Sequence, residues 1–271
     1  MSEKEGGMRG TPSGFKDLDH KLSGFQPSDL IILAARPSVG KTSLALDFAR
    51  NAAVKHGIPV AIFSLEMSKE QLVDRMLSAQ SQVDSWKLRT AKLSLDEEFE
   101  RLQQGMHELM KAPIFVDDKA ANTILNMRST LRRLTTDKPI GLIIVDYLQL
   151  MGTAKSYDNM VNQVTEISRS LKALAKEFKA PVIALSQLSR AVESRGGKPR
   201  LSDLRDSGSI DQDADVVMFI HREDKYGTDG GDRKNIVEIL IEKHRNGPTG
   251  MVELYFDDKK TTFVSVEKSE F

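Results

Sequence analysis

Cysteine is absent from the 271 residues, which excludes disulfides, thiolate metal sites and a catalytic thiol. Net charge is missing too: 39 Lys and Arg offset 39 Asp and Glu. The molecule as a whole is therefore no attractor for a polyanion, and any nucleic-acid contact must come from a local patch or a pore lining. No apolar run approaches the roughly 20 residues that span a bilayer, so no membrane partner is expected. The histidines, His20, His56, His107, His221 and His244, show no metal-ligand spacing. The polar, Gly-rich start lacks the apolar centre of a signal peptide, and a cytoplasmic protein is expected. Residues 1–14 are expected to form a disordered tail or a linker cut from a longer chain, the second being preferred.

What is present is an ordinary globular composition, 39% apolar and 29% charged, on a chain long enough for one large α/β domain. Continuous apolar runs at 30–35 (LIILAA), 60–64 (VAIFS), 142–147 (LIIVDY) and 182–186 (VIALS) suit strands buried on both faces. A shorter strand is expected at 114–116. Between them lie helical patterns: 42–56, stopping at Gly57; helices opened by capping boxes at Ser68–Gln71 and Ser94–Glu97; one from about Thr123; and a long one between Asn159 and Lys179. Strands alternating with helices predict a mostly parallel twisted sheet flanked by helices. After a polar stretch from 187 to 214, apolar runs at 216–222, 236–243, 251–256 and 263–266 follow closely. The last two flank Asp257-Asp258-Lys259-Lys260, a hairpin signature that adds antiparallel strands at the C-terminal end. With no repeats and no second core in the pattern, 15–271 is expected to be one domain.

The segment Ala35, Arg36, Pro37, Ser38, Val39, Gly40, Lys41, Thr42, Ser43 joins a buried strand to a helix, the setting of a phosphate-binding loop. Backbone N–H groups there can wrap phosphates. Lys41 is expected on the β- and γ-phosphates of ATP, and the Thr42 hydroxyl on Mg²⁺. Ala35 stands where the pattern has its first glycine; a methyl is tolerated there if φ is negative. Asp146 ends an apolar strand at the edge where open α/β sheets bind ligands, a natural partner of Thr42 for the metal. Glu66 follows the second strand and would lie beside the phosphate loop if that strand neighbours the first, placed to polarise an attacking water. A surface glutamate before a helix is equally common.

Gln187 lies just past a strand, at the same edge as Asp146, where an amide can touch the γ-phosphate; a polar strand terminator fits as well. The segment 201–210 mixes Arg205 with small donors and a glycine, able to bind phosphates without reading bases, or simply to be a solvated loop. Lys243 and Arg245, one residue apart on an extended segment, point the same way. They are candidates to neutralise charge at a γ-phosphate, their own or, as arginine fingers, a neighbour's. A solvated strand end is the plainer alternative.

Taken in order, AARPSVGKTS, FSLEMS, GLIIVDYLQL, ALSQLSR, DLRDSGSIDQDADVV and EKHRNGPTG closely resemble the DnaB family of bacterial and phage replicative helicases, over about 15–266. The family shows Ala-Arg-Pro-Ser at the departing position. The resemblance implies a RecA-like P-loop ATPase core assembled as a homohexameric ring around single-stranded DNA and moving 5′ to 3′. It implies functional roles for Glu66, Gln187, Lys243 and Arg245, and DNA contacts by Arg205, Asp206 and Gly208. It also brings in a helicase loader and a primase as partners, although the family's N-terminal primase-docking domain and linker helix lie outside these residues. A RecA-, RadA- or KaiC-like recombination or repair ATPase shares the loop and sheet but not the SLEMS and EKHRNG segments, and RadA carries a four-cysteine zinc module absent here. A non-hydrolysing nucleotide-binding module would be favoured had Glu66 or Asp146 been missing.

Overall fold

The computed structural model describes residues 8–93, 96–120, 122–136, 138–152, 160–188, 197–207, 210–223 and 234–266. The four apolar runs form β1 (Leu30–Ala35), β2 (Val60–Ser64), β4 (Leu142–Asp146) and β5 (Val182–Gln187), with β3 (Ile114–Asp117) as a short edge strand. The later runs form β6 (Val216–His221), β7 (Ile236–His244), β8 (Gly250–Asp257) and β9 (Thr262–Ser265). They make one sheet in the order β3-β2-β4-β5-β1-β6-β7-β8-β9. Pairing is parallel from β3 through β6 and antiparallel from β6 to β9. The parallel sheet with antiparallel C-terminal strands is thus the fold that forms.

Flanking it are α1 (Lys16–Leu22), α2 (Lys41–Arg50), α3 (Lys69–Ser81), α4 (Ser85–Thr90), α5 (Asp96–Lys111), α6 (Ile124–Leu134), α7 (Met160–Phe178) and the one-turn α8 (Ile210–Asp213). The pattern over 42–56 resolves into α2 and a π-helical turn, Asn51–Lys55, before Gly57. The capping box of α3 forms as expected, with Ser68 and Gln71 bonding each other's backbone, whereas Ser94 of the second box lies outside the described residues. Thr123 caps α6 through Asn126 N.

Alternate side chains of each buried strand face opposite sides, so the single core expected is two apolar layers split by the sheet. Ile31 and Leu33 join Phe48, Leu72 and Met76 on one face; Leu30 and Ile32 join Leu131, Ile167 and Leu171 on the other. The tail expected over 1–14 also needs correction on its described side. Thr11 pairs with Phe25 in an antiparallel bridge, its hydroxyl donates to Gly141 O at 2.7 Å, and Ser13 is buried. Residues 1–7 lie outside the described residues.

The β8–β9 hairpin braces α2. The buried Asp47 carboxylate accepts from Thr262 Oγ1 at 2.8 Å, from Phe263 N at 2.7 Å and from Arg50 at 2.9 Å, while burial pushes its acid above the ordinary aspartate range. A carboxylate this buried needs every donor it has. Thr262→Val keeps the shape but removes one donor, and should cost about 1.5–3 kcal/mol. Urea unfolding with an unchanged m-value would read this; a loss under about 0.5 kcal/mol would rule the brace out as a stabilising element.

Candidate active site

Parallel pairing aligns the carboxyl ends of the strands along one edge of the sheet. Ala35 ends β1 in register with Gln187 of β5, and Ser64 ends β2 in register with Asp146 of β4. The loop from 36 to 40 leaves that edge and turns into α2. Its turn is tight: Ser38 has φ +62° and Gly40, the N-cap, φ +104°. Ala35 remains strand, outside the positive-φ residues, so its methyl is accommodated. No acidic residue occupies the first turn of α2, which leaves the partial positive charge of the helix N-terminus available to an anion.

These elements enclose a cleft of about 260 Å³ lined by Ala35, Arg36, Pro37, Ser38, Gly40, Lys41 and Thr42, and by Glu66, Met67, Arg75 and Gln187. Of the nine loop residues singled out in the sequence, Val39 and Ser43 turn their side chains inward and are buried. Asp146, 2% exposed, sits at the end of β4. Its Oδ2 accepts a 2.7 Å hydrogen bond from Thr42 Oγ1, and Lys41 Nζ lies 3.9 Å from Oδ1. Oδ1 has no hydrogen-bond donor among the described residues. Burial pushes the Lys41 ammonium below the ordinary lysine range, while Asp146 and Glu66 pull it back. The Tyr147 ring lies 4.5 Å from Lys41 Nζ.

Glu66 reaches the cleft by a different route from the one expected. β2 does not neighbour β1; β4 and β5 lie between them. Common strand direction, rather than adjacency, brings the loop after β2 to the shared edge. There it is folded by Ser64, whose hydroxyl donates to Met67 O at 2.7 Å and accepts from Met67 N at 3.2 Å. Gln187 is exposed and lines the cleft.

Lys243 and Arg245 lie elsewhere. β7 runs antiparallel to β6, with His244 opposite Val216, so its end reaches the sheet edge opposite the phosphate loop. Both cations do point the same way. Lys243 Nζ donates to Asp211 O and Arg245 donates to Gln212 O, each at 2.6 Å, clasping the end of α8. Arg245 also lies 3.4 Å from Asp215. The Arg245 side chain is exposed, at 47%, and is tethered to its own chain. Arg205 and Asp206 fall in a 3₁₀ segment, Leu201–Ser207, with side chains outside the described set; Gly208 lies outside the described residues.

Sequence reasoning missed Arg75, Tyr147 and Gln149. Gln149 Nε2 donates to Ser186 Oγ at 2.9 Å and to Gln187 O at 3.2 Å, fixing the strand end that carries Gln187. It stands within GLIIVDYLQL, the one signal available for it; Arg75 carries no motif signal at all.

A Gly-Lys-Thr loop running from a buried strand into a helix N-terminus, over a buried strand-end aspartate, defines a P-loop nucleotide-binding protein of the RecA-like class. More particularly, the chain belongs to the family of the DnaB-like helicase C terminal domain, which its residues 10–265 match. It is 50% identical to the replicative DNA helicase DnaB of Geobacillus stearothermophilus, over 99% of this chain and 59% of that protein. It is 48% identical to the replicative DNA helicase DnaC of Bacillus subtilis strain 168, over 99% of this chain and again 59% of that protein. The chain thus spans well under two thirds of these relatives. Among solved structures, the ATPase domain of G40P superposes with a TM-score of 0.92 at 38% identity, covering 97% of this chain and 93% of that one. A DnaB-like replicative helicase studied for its interactions with primase gives 0.91 at 38%, covering 97% of this chain and 63% of that one. The RadB recombinase, at 0.57 and 18%, shares the fold.

Gly40 is the tightest point of the loop. An added Cβ would sit at a strained φ and 3.0 Å from the Phe263 ring. Gly40→Ala should therefore cost about 1–3 kcal/mol of stability, read from the denaturation midpoint; an unchanged midpoint would show that the loop relaxes freely.

Proposed function

We propose that this chain is the ATP-hydrolysing motor of a replicative DNA helicase that moves along single-stranded DNA as a ring of identical subunits. The observation that carries it is the convergence of Lys41, Thr42, Asp146, Glu66 and Gln187 on one sheet edge beside a helix N-terminus. The identity to replicative helicases over nearly the whole chain supports it. Phosphoryl transfer asks little covalent chemistry of the protein, so positioning and charge compensation account for most of the catalysis.

In this reading the loop amides and Lys41 hold the phosphates. Thr42 and Asp146 would hold Mg²⁺, which supplies neutralisation of charge on the β- and γ-phosphates. The residues fit that ion: a hydroxyl and a buried carboxylate with one undonated oxygen suit a cation that keeps waters and shares its shell with phosphates. Among the described residues no cluster of three or more acidic or histidine ligands competes as a metal site. Glu66 takes the proton of the attacking water, and Gln187 meets the γ-phosphate and passes its loss to the segment after β5. Arg205, Asp206 and Gly208 contact the DNA backbone, and 15–271 acts as one motor domain. A loader and a primase are the further partners expected. The sheet alone also suits a recombination ATPase; the weaker likeness to RadB and the replicative helicase relatives disfavour it.

Phosphate release with and without single-stranded DNA, followed by unwinding of a forked duplex, tests the reading. DNA-stimulated hydrolysis with unwinding is expected, and hydrolysis that DNA leaves unchanged would overturn the motor assignment. Within it, Glu66→Gln should retain nucleotide affinity and turn over roughly 10²- to 10⁴-fold more slowly, the range for loss of a general base. A parallel loss of affinity would make Glu66 a binding residue.

In this reading Arg245, on the edge opposite the phosphate loop, serves a neighbouring subunit's nucleotide, where an arginine finger is worth about 10³–10⁵ in rate. Arg245→Ala and Lys41→Ala subunits should each be inactive alone and regain hydrolysis when mixed with nucleotide and DNA. Co-assembled mixtures as inactive as their parents would overturn the trans arrangement.

A further inference from the structure

The end of β5 has a strand on one side only. The β4–β5 register runs from Ile143 and Val182 to Val145 and Ala184, after which the chain leaves β4 for the 3₁₀ turn Leu148–Leu150. β5 continues beside β1 as far as Gln187. Leu188 N donates to Ala35 O at 3.0 Å, and backbone groups alternate sides along a strand. The N–H and C=O of Gln187 therefore face the space that β4 has left. Gln149 fills it with its side-chain amide: Oε1 accepts from Gln187 N at 3.4 Å, and Nε2 donates to Gln187 O at 3.2 Å and to Ser186 Oγ at 2.9 Å. One amide thus offers an acceptor and a donor to the two backbone groups of one residue, as the peptide unit of a neighbouring strand would. Asparagine is a methylene too short, an ionised glutamate has no donor and a lysine no acceptor. The turn that carries Gln149 is fixed independently. Leu148 and Met151 are buried, Met151 O accepts from Gln163 Nε2 at 3.2 Å, and Gly152 N donates to Asn122 O at 3.2 Å.

We propose that Gln149 is a positioning residue for hydrolysis, its amide standing in for the departed strand and holding Gln187 where that side chain meets the terminal phosphate of ATP. Gln187 is exposed and lines the cleft, so water could satisfy its backbone nearly as well as Gln149 does. What water cannot supply is a fixed position. Asp146 lies three residues before Gln149, at the end of β4, so the same clamp sets Gln187 relative to the carboxylate that would hold Mg²⁺. The assignment rests on the ATPase reading above.

The test uses the full chain and Gln149→Met, which keeps length and bulk but loses the amide. Without nucleotide, amide exchange at Gln187 should quicken roughly two- to tenfold, one hydrogen bond's net contribution expressed as a rate, while the thermal midpoint stays close to wild type. With Mg²⁺, single-stranded DNA and saturating ATP, kcat for phosphate release should fall roughly ten- to a hundredfold, the range for a misplaced group. A non-hydrolysable ATP analogue should bind within about twofold of wild type, because only the position of Gln187 has changed. A double-mutant cycle separates positioning from a merely structural role: in a Gln187→Ala background, Gln149→Met should lose nothing further. Losses that multiply would make Gln149 a structural residue and overturn the assignment. Unchanged kcat in Gln149→Met would do the same, as would unchanged kcat in Gln187→Ala, which would leave nothing to position. Gln149→Glu, isosteric but without a donor, takes the place of Gln149→Met should that variant fold poorly, with the same outcomes expected. Wild-type chain that releases no phosphate overturns the ATPase reading, and this assignment with it.

Discussion

The hydrogen bond from Thr42 Oγ1 to Asp146 Oδ2, 2.7 Å long, joins segments 104 residues apart. It closes the site because each partner is fixed independently. Asp146 ends a strand buried along its whole length, and Thr42 is the second residue of a helix whose N-cap, Gly40, is pinned against Phe263. A carboxylate left at a strand end with one oxygen donated and the other not is incompletely satisfied. The geometry is arranged for something that the protein itself does not provide there. Lys41 pairs with Asp146, and Arg75 lies in the field of Asp146 and Glu66, so the cleft has charges of both signs before any ligand enters.

The opposite edge has its own organising carboxylate. Asp215 accepts from Leu30 N at 2.8 Å, pairs with Lys172 and lies 3.4 Å from Arg245. Because Leu30 begins β1 and Ala35 ends it, one strand carries the phosphate loop at one end and the Arg245 anchor at the other. α8, clasped by Lys243 and Arg245, follows directly on the segment containing Arg205 and Asp206.

Local signals were enough for much of this in the sequence. Continuous apolar runs marked β1, β2, β4 and β5, and Gly-Lys-Thr after the first of them marked the phosphate loop, because buried parallel strands and helix N-termini have short-range signatures. The order of strands had none. Whether β2 neighbours β1 depends on how crossovers stack, and Glu66 reaches the cleft despite the intervening β4 and β5. Arg75 was illegible for a related reason: whether it lines the cleft depends on which face of α3 meets the phosphate loop, the turn after β2 and the end of β5. The brace on Asp47 joins residues more than two hundred positions apart, a separation at which pattern reading has no purchase.

The placement of Lys243 and Arg245 bears on the proposed need for neighbouring subunits. Antiparallel pairing of β7 with β6 carries any side chain at the end of β7 away from its own nucleotide edge, whatever the rotamer. In the proposed trans arrangement, the charge of Arg245 goes to a different subunit's cleft, and its bonds to Gln212 O and Asp215 are exchanged for bonds to phosphate. That exchange replaces one set of charge-assisted hydrogen bonds by another, so its net free energy is small compared with either set alone. A nearly balanced exchange is what a switch requires, since modest differences in nucleotide or DNA state can then decide which set is made.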